Sequence, residues 1–202
     1  MGSHYFKNDN NVKSEERIIR FHFKEKVFEL FSDNGVFSKN GLDEGSNILI
    51  DYILKLPLNG RVLDMGCGYG PIGLTLASFF ENCFIDMYDI NERAVNLAKK
   101  NQQKLGLNNV EIGVSNGFEN VKNNYNYIFI NPPIRAGKQV IYKMFDDSFN
   151  SLCNGGFLVI VIRKSHGAPS VQKKLLELFG NCEIKKKNKG YYILQSIKNS
   201  VY

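Results

Sequence analysis

The chain has 202 residues, of which 43% are hydrophobic, with a formal net charge of +6 and a pI of about 9.0. This length suffices for one domain with a full core, and the lack of an apolar run of about 18 residues excludes a transmembrane helix. The basic charge favours polyanionic partners such as nucleic acids, although many basic proteins bind none.

Residues 1–16 are polar and rich in Asn, Lys and Glu, which is typical of a mobile N-terminal arm. We expect residues 17–202 to form a single domain, with residues 17–42 as a strand-and-loop extension. Within this extension, apolar and charged residues alternate over 17–23 and 27–31. This pattern predicts two short strands joined by a turn at residues 24–26.

From about residue 43 the pattern changes to strands that alternate with helices. Helices are predicted over residues 48–56, 71–80, 91–105, 138–152 and 169–179. Strands are predicted over residues 61–64, 83–88, 110–114, 125–130 and 156–162, followed by a hairpin of 182–187 and 190–196. The alternation indicates right-handed βαβ units and a parallel sheet, and the closing hairpin predicts that the sheet ends with an antiparallel strand.

The spacing of Cys and His residues argues against a metal site. The cysteines form no Cys-x-x-Cys pair, and no histidine lies beside one of them in the sequence. We therefore expect no bound metal, and reduced thiols in the core of a cytoplasmic protein. The first four residues do not form a signal peptide, which agrees with that location. The residues concerned are Cys67, Cys83, Cys153, Cys182, His4, His22 and His166.

A glycine-rich loop follows the first strand of the core: Asp64-Met65-Gly66-Cys67-Gly68-Tyr69-Gly70. Glycines between a strand and a helix allow a tight turn and a close approach of the backbone to a ligand. An acid, Asp89, stands at the end of the next strand, ~20 residues beyond the glycines, where a carboxylate can accept both ribose hydroxyls. Together these features indicate a nucleotide site at the carboxyl edge of the sheet.

The glycine spacing and Asp64 indicate which nucleotide this is. A dinucleotide site has the pattern Gly-x-Gly-x-x-Gly, whereas here the glycines are Gly66, Gly68 and Gly70. A carboxylate directly before the loop would repel a pyrophosphate, which disfavours a nicotinamide oxidoreductase. It suits a ligand with ammonium and sulfonium charges, such as S-adenosylmethionine, although Asp64 has an alternative role as a cap between helix and loop.

The third strand ends in Ser115-Asn116-Gly117-Phe118. A polar side chain here is suited to the amino group of an adenine, with Phe118 against the ring. A simple Asn-Gly turn is the alternative interpretation. We predict cofactor contacts from the ends of four strands, at Asp64, Gly66, Cys67, Gly68, Gly70, Asp89, Ile90, Asn91, Ser115, Asn116, Gly117, Phe118 and Asn131.

The fourth strand ends in Asn131-Pro132-Pro133-Ile134, which is the candidate catalytic segment. The Asn131 side-chain oxygen and a backbone carbonyl of the Pro-Pro unit can accept the two N–H groups of an exocyclic amine. The prolines restrict the backbone, so that this carbonyl is aimed before the substrate arrives. Because attack on a sulfonium makes the amine acidic, Asn131 orients the amine and removes no proton.

Residues 64–70, 89–91 and 131–134 together resemble a class I S-adenosylmethionine-dependent methyltransferase that acts on amino groups. The stretches at 35–43 and 131–138 narrow the resemblance to the ribosomal small-subunit RNA guanine-N2 methyltransferases, the RsmC-like family, in a single-domain form. The resemblance covers residues 17–197. It implies an α/β Rossmann-like fold, with a seven-stranded mostly parallel sheet, an antiparallel last strand, helices on both faces and a short N-terminal β-hairpin.

The resemblance implies that the exocyclic N2 amine of a guanine in 16S ribosomal RNA is methylated. Glutamine-N5 and adenine-N6 methyltransferases commonly have an aromatic residue where Ile134 stands, which disfavours those alternatives. A non-catalytic RNA-binding module on the same fold is a further alternative. Ribosomal RNA or the small ribosomal subunit is the expected partner. RNA contacts are predicted at Phe37, Lys39, Arg135, Lys138, Arg163 and Lys164, whereas the lysine-rich stretch 185–189 is first a solvated turn.

Overall fold

The structure is a computed structural model that describes residues 15–34 and 41–199. All but the last two residues of the predicted arm lie outside this range. The same holds for Phe37 and Lys39, so their predicted RNA contacts lie outside the described residues.

An antiparallel hairpin precedes the main sheet, as the alternating pattern predicts. It consists of β1 (Arg17–Phe23) and β2 (Lys26–Ser32). Its buried side chains, among them Ile19, Phe23, Phe28 and Leu30, belong to the same core as the first three helices. The hairpin is therefore packed onto the domain and forms part of one face of it.

The main sheet has seven strands in the order β5-β4-β3-β6-β7-β9-β8. The strands are β3 (Gly60–Met65), β4 (Cys83–Asp89), β5 (Val110–Val114), β6 (Tyr125–Ile130), β7 (Leu152–Arg163), β8 (Glu183–Asn188) and β9 (Tyr191–Ile197). Strand β9 is antiparallel to both of its neighbours, β7 and β8. The predicted antiparallel last strand is confirmed. It is last in the sequence and second from the edge in space, because β9 inserts between β7 and β8.

Helices cover both faces of the sheet, as predicted. They are α1 (Glu44–Ile53), α2 (Pro71–Phe79), α3 (Glu92–Leu105), α4 (Lys138–Ser151) and α5 (Ala168–Phe179). Because successive strand residues point to opposite faces, Val62 enters the core beneath α1–α3 and Leu63 the core beneath α4 and α5. Among the described residues, no helix is long and apolar enough to cross a membrane.

Two elements begin four residues before their predicted starts. Helix α1 begins at Glu44, four residues before the predicted start, because the Asp43 side chain accepts the Ser46 backbone N–H and caps the first turn. Strand β7 begins at Leu152, before the predicted position 156, and its pairing with β6 shifts register between Tyr125 and Tyr127. An irregular pairing of this kind leaves no simple period in the sequence.

Candidate active site

Strand β3 lies between β4 and β6, and this places two of the predicted site segments side by side. Met65 at the end of β3 pairs with Tyr88 on one side and with Ile130 on the other. The glycine loop that starts at Gly66 and the segment that starts at Asn131 therefore leave the sheet at the same edge. Strands β3, β4 and β5 follow one another toward one edge of the sheet, and the next strand in the sequence, β6, lies on the other side of β3. The crevice at the carboxyl ends of β3 and β6 is therefore the topological switch point.

The glycine loop is held by its backbone and is open toward a ligand. The N–H groups of Gly66 and Cys67 donate to the Tyr88 carbonyl, at 2.8 and 3.0 Å. Gly66 and Gly68 have φ of +78° and +56°, and a Cβ added at either would meet no atom of the described residues within 4 Å. This geometry leaves room for a ligand. The Cys67 side chain is buried, its Sγ donates to the Gly68 carbonyl at 3.6 Å, and burial raises the pKa of its thiol.

Asp89 ties the glycine loop to the end of β4. Its Oδ2 accepts the Gly68 N–H at 2.8 Å, and its Oδ1 accepts the Asn91 N–H, also at 2.8 Å. Burial raises the pKa of this carboxyl, while the backbone N–H groups lower it. Each carboxylate oxygen can accept a further hydrogen bond. The half-buried Asp89 can therefore still bind a ligand, whereas the Asn91 side chain caps α3 by accepting the Arg93 N–H at 3.0 Å.

Asp64 lies beneath the loop and is only 1% exposed. Its Oδ2 accepts the Gly73 N–H at 2.8 Å, so the capping role that the sequence left open is present. Its Oδ1 is buried and has no hydrogen-bond partner among the described residues. Burial, with a smaller contribution from the nearby Asp89, raises the Asp64 pKa to about 7 against the opposing effect of the Gly73 N–H. A buried carboxylate oxygen without a partner fits a cationic ligand above it.

At the end of β5, the contacts favour the turn interpretation. The Ser115 hydroxyl donates to the Gly117 carbonyl at 2.7 Å and accepts the Asn120 N–H at 3.1 Å. The exposed Asn116 side chain donates to Glu119 Oε1 at 2.8 Å. The Ser115 N–H donates to the Asp89 carbonyl at 2.9 Å, which keeps this turn beside Asp89. The predicted adenine contacts of Asn116 and of the half-buried Phe118 stay predictions.

The Asn131 amide is fixed by two acceptors on the first turn of α1. Its Nδ2 donates to Asp43 Oδ1 at 3.0 Å and to Ser46 Oγ at 3.1 Å. A carboxylate can only accept, so the nitrogen of the amide must face Asp43. The Asn131 side-chain oxygen takes part in neither hydrogen bond, and its role as the acceptor for a ligand stays a prediction.

The absence of a side chain at Gly45 leaves room for the contact between Asn131 and Asp43. A Cβ at this position would lie 3.1 Å from Asp43 Oδ1 and 3.2 Å from Asn131 Oδ1, which is closer than ordinary contact. The contribution of Asp43 and Ser46 to the site was not predicted. Their signal is the pattern Asp-x-x-Ser ahead of a helical period, which is typical of a helix cap and carries no sign of a role at a distant strand end.

One of the two proline carbonyls is already in use. The Pro133 carbonyl accepts the Ala136 N–H at 2.8 Å, within the short 3-10 helix Ile134–Ala136. In the described part of the chain, the Pro132 carbonyl accepts no backbone hydrogen bond. Of the two proline carbonyls, that of Pro132, which is adjacent to Asn131, is the one that a ligand could use without breaking a backbone hydrogen bond. Ile134 is half-buried and packs against the core beneath α4 and α5.

Exposed basic side chains surround the crevice at the same edge. They comprise Arg135 and Lys138 after β6, and Arg163 and Lys164 at the end of β7. The Arg163 guanidinium lies 5.1 Å from the centre of the Tyr191 ring. The β8–β9 turn also reaches this edge, since the Lys164 N–H donates to the Gly190 carbonyl at 2.8 Å.

Part of the lysine-rich stretch is neutralised locally. Lys185 and Lys186 form ion pairs with Glu183 and Asp51, and Lys189 Nζ lies 2.9 Å from Glu44 Oε1. Lys187 lies over the ring of Tyr192, at 5.1 Å. No cluster of His, Cys, Asp and Glu able to hold a metal ion occurs in residues 15–34 and 41–199.

The family model described as "Methyltransferase small domain" matches residues 27–195. The chain belongs to this methyltransferase family. A relative from Bacillus subtilis (strain 168), "Uncharacterized protein YbxB", is 46% identical over 200 residues, which cover 98% of this chain and all of that protein. The ribosomal RNA large subunit methyltransferase G of Psychromonas ingrahamii is 31% identical and covers 93% of this chain. The ribosomal RNA small subunit methyltransferase C of Aliivibrio salmonicida is 29% identical and also covers 93%.

The chain spans about half of each of these two ribosomal RNA methyltransferases, 50% and 55%. Among solved structures, the T. thermophilus 16S rRNA N2 G1207 methyltransferase (RsmC) in complex with AdoMet and guanosine has a TM-score of 0.82 and 22% identity. The match covers 93% of this chain and 52% of that one. The likeness shows that this small methyltransferase domain has the Rossmann-like class I methyltransferase fold.

Proposed function

We propose that the protein is an S-adenosylmethionine-dependent methyltransferase that modifies the exocyclic N2 amine of a guanine in ribosomal RNA. The observation that carries the proposal is the Asn131 amide, which Asp43 and Ser46 hold with its oxygen available beside the glycine loop. An acceptor fixed in this way suits an N–H group of an amine substrate. The resemblance to methyltransferases of both ribosomal subunits supports RNA as the substrate class.

Residues already in place fit the cofactor. S-adenosylmethionine supplies an electrophilic methyl group on a sulfonium. Gly66 and Gly68 leave open space at the crevice, and Asp89 retains acceptor capacity for ribose hydroxyls. The buried Oδ1 of Asp64, without a partner in the described chain, gives the loop a negative character that suits a cationic ligand.

The catalytic segment orients the target amine. Asn131 Oδ1 accepts one N–H of the amine and the Pro132 carbonyl accepts the other, which points the nitrogen lone pair away from both acceptors. Both acceptors are fixed before the substrate binds, so little reorganisation accompanies the reaction. Neither is a base. The proton of the methylated amine leaves to solvent after transfer, because the amine has then become cationic and acidic.

Two features support guanine in RNA. Ile134, directly after the two prolines, is aliphatic where an aromatic residue is expected for adenine-N6 and glutamine substrates. Arg163 and Lys164 lie at the same edge and suit the phosphates on either side of a base drawn into the crevice.

The test is transfer of a tritiated methyl group from S-adenosylmethionine to ribosomal subunits from a strain that lacks the gene. Small subunits, large subunits and a release factor are compared in parallel, and the labelled nucleotide is then mapped. We expect label on a guanine N2 of ribosomal RNA. Label on the release factor, or on adenine, would overturn the proposed substrate, and absence of cofactor binding by calorimetry would overturn the proposed activity.

Two variants assign the roles within the site. Asn131→Ala is expected to bind the cofactor like the unmodified protein and to lose methyl transfer, because it lacks the orienting acceptor. Asp89→Ala is expected to weaken cofactor binding severely, because it removes the ribose acceptor and releases the Gly68 N–H. Transfer by Asn131→Ala at an unchanged rate would contradict the catalytic role of Asn131.

A further inference from the structure

The open end of the β1–β2 hairpin is fastened to the glycine loop. The Asn101 side chain, which is fully buried, donates to the carbonyls of Phe31 and Tyr69, both at 2.9 Å, and accepts the Phe31 N–H at 2.7 Å. Phe31 is near the end of β2, and Tyr69 lies in the glycine loop. This bridge places the first residue of β1 and the last residue of β2 beside the cofactor crevice.

Three buried hydrogen-bond donors at this place have no partner. They are the guanidinium of Arg17, through Nε and Nη2, and the hydroxyls of Ser32 and Tyr69, and within the described residues none of these atoms forms a hydrogen bond. Arg17 and Ser32 are cross-strand partners. Both lie on the strand face that also carries the buried Ile19 and Leu30, so their side chains point into the domain. Ser32 is 0% exposed and Tyr69 is 2% exposed.

The members of this group interact electrostatically, and no ion pair of Arg17 occurs among the described residues. Burial raises the pKa of the Tyr69 hydroxyl, with Asp43 raising it further and Arg17 lowering it, so the guanidinium charge acts on this hydroxyl. The nearby carboxylates are engaged with other partners. Asp33 binds the guanidinium of Arg93, and Asp43 binds Asn131. The two buried guanidinium nitrogen atoms and the two buried hydroxyls have no partner among the described residues, which is costly, and a single anion that accepts from all of them removes this cost.

We propose that Arg17, together with the hydroxyls of Ser32 and Tyr69, binds the carboxylate at the amino-acid end of S-adenosylmethionine. This inference rests on the proposed cofactor. The carboxylate is the one negative group of that molecule, and a guanidinium is the residue type best suited to hold it. The same molecule carries an ammonium group, which suits the negative character that Asp64 gives the loop. The hairpin is thereby a part of the cofactor site.

The test compares S-adenosylmethionine with its decarboxylated analogue, which keeps the nucleoside, the sulfonium and the ammonium group. Binding of both ligands is measured by titration calorimetry on the intact protein and on Arg17→Met, which keeps an apolar stem. We expect Arg17→Met to weaken S-adenosylmethionine binding about 10- to 100-fold, as for the removal of a charged hydrogen bond, and to leave the analogue unchanged. The matched control is Arg20→Met on the outward face of the same strand, where Arg20 lies near Glu29.

Smaller changes separate binding from folding. Ser32→Ala and Tyr69→Phe each remove one hydroxyl and are expected to weaken S-adenosylmethionine binding several-fold without affecting the analogue. Equal losses for both ligands, or no loss for either, would overturn the inference, as would a loss confined to RNA binding. If the unmodified protein binds neither ligand, the proposed cofactor itself is wrong, and this outcome is distinct from a failure of the Arg17 assignment.

Discussion

Asp43 Oδ1 lies 3.0 Å from Asn131 Nδ2, although the two residues are 88 positions apart in the sequence. The same oxygen accepts the Ser46 N–H at 3.0 Å and so caps α1. One carboxylate oxygen therefore starts a helix and sets the direction of the candidate catalytic amide. Because the carboxylate cannot donate, it permits only one of the two orientations of the Asn131 side chain.

We predict that Asp43→Ser retains the helix cap and loses most of the activity. Ser caps a helix about as well as Asp, so the fold is maintained. A hydroxyl at this position can accept the Ser46 N–H and donate to Asn131, so it permits either orientation of the amide, and the orientation with the Asn131 oxygen turned inward has no acceptor for the substrate. We expect methyl transfer to fall about 10- to 100-fold, with cofactor affinity unchanged by calorimetry. The control is Asp51→Ser on the same helix, where Asp51 pairs with Lys55 and Lys186. Full activity of Asp43→Ser would show that the carboxylate does not orient the amide.

Gly45→Ala should separate activity from stability. Alanine favours a helix over glycine by about 1 kcal/mol, which supports the fold. The new methyl group, however, lies 3.1 Å from the capping Asp43 Oδ1 and 3.2 Å from Asn131 Oδ1, so both atoms must shift. We expect turnover to fall while the thermal midpoint changes little, because the gain in helix propensity offsets the disturbed cap. Asn47→Ala, at an exposed position of the same helix, should leave both unchanged. A fully active Gly45→Ala protein would mean that the amide tolerates the shift.

The sequence predicts the sheet and helices of this domain because its βαβ units are local and strongly periodic. Every core strand and helix that the pattern predicts is present in the structure. The predicted start of helix α1 is too late because the local cap at Asp43 was not recognised. The inner position of β9 is set by tertiary pairing, which no local pattern specifies.

The sequence predicts only part of the candidate site. Gly66, Asp89 and Asn131 stand at strand ends, and parallel pairing brings them to one edge, as predicted. The roles of Asp43 and Arg17 were not predicted, because they arise from contacts between distant segments of the chain. Arg17 is the first residue of an amphipathic strand. From the sequence alone, an arginine at this position is expected to be an exposed surface charge. Only the packed hairpin shows that two of its nitrogen atoms are buried without a partner among the described residues.

The basic edge at the end of β7 should contribute to RNA binding and not to cofactor binding. We predict that the double change Arg163→Gln and Lys164→Gln weakens binding of a ribosomal RNA fragment. The slope of log affinity against log salt should decrease by about 1 for each phosphate that the variant no longer neutralises. Fluorescence anisotropy at several salt concentrations measures this slope, and calorimetry measures the cofactor. Lys122→Gln, at an exposed position shortly before β6, is the control. A slope equal to that of the unmodified protein would exclude this edge from the RNA interface.

Asp64 should make the ligand-free protein less stable as the pH rises. Burial raises the pKa of this carboxyl in the folded state from 3.8 to about 7, so the unfolded chain releases its proton first. The free energy of unfolding must then fall between these two pKa values and level off above the higher one. Relative to Asp64→Asn, which cannot ionise, we expect a loss on the order of 2–3 kcal/mol from pH 5 to pH 8. Urea unfolding of both proteins across this range, followed by circular dichroism, measures the difference. Parallel stability curves would show that Asp64 is ionised throughout and that another group neutralises it.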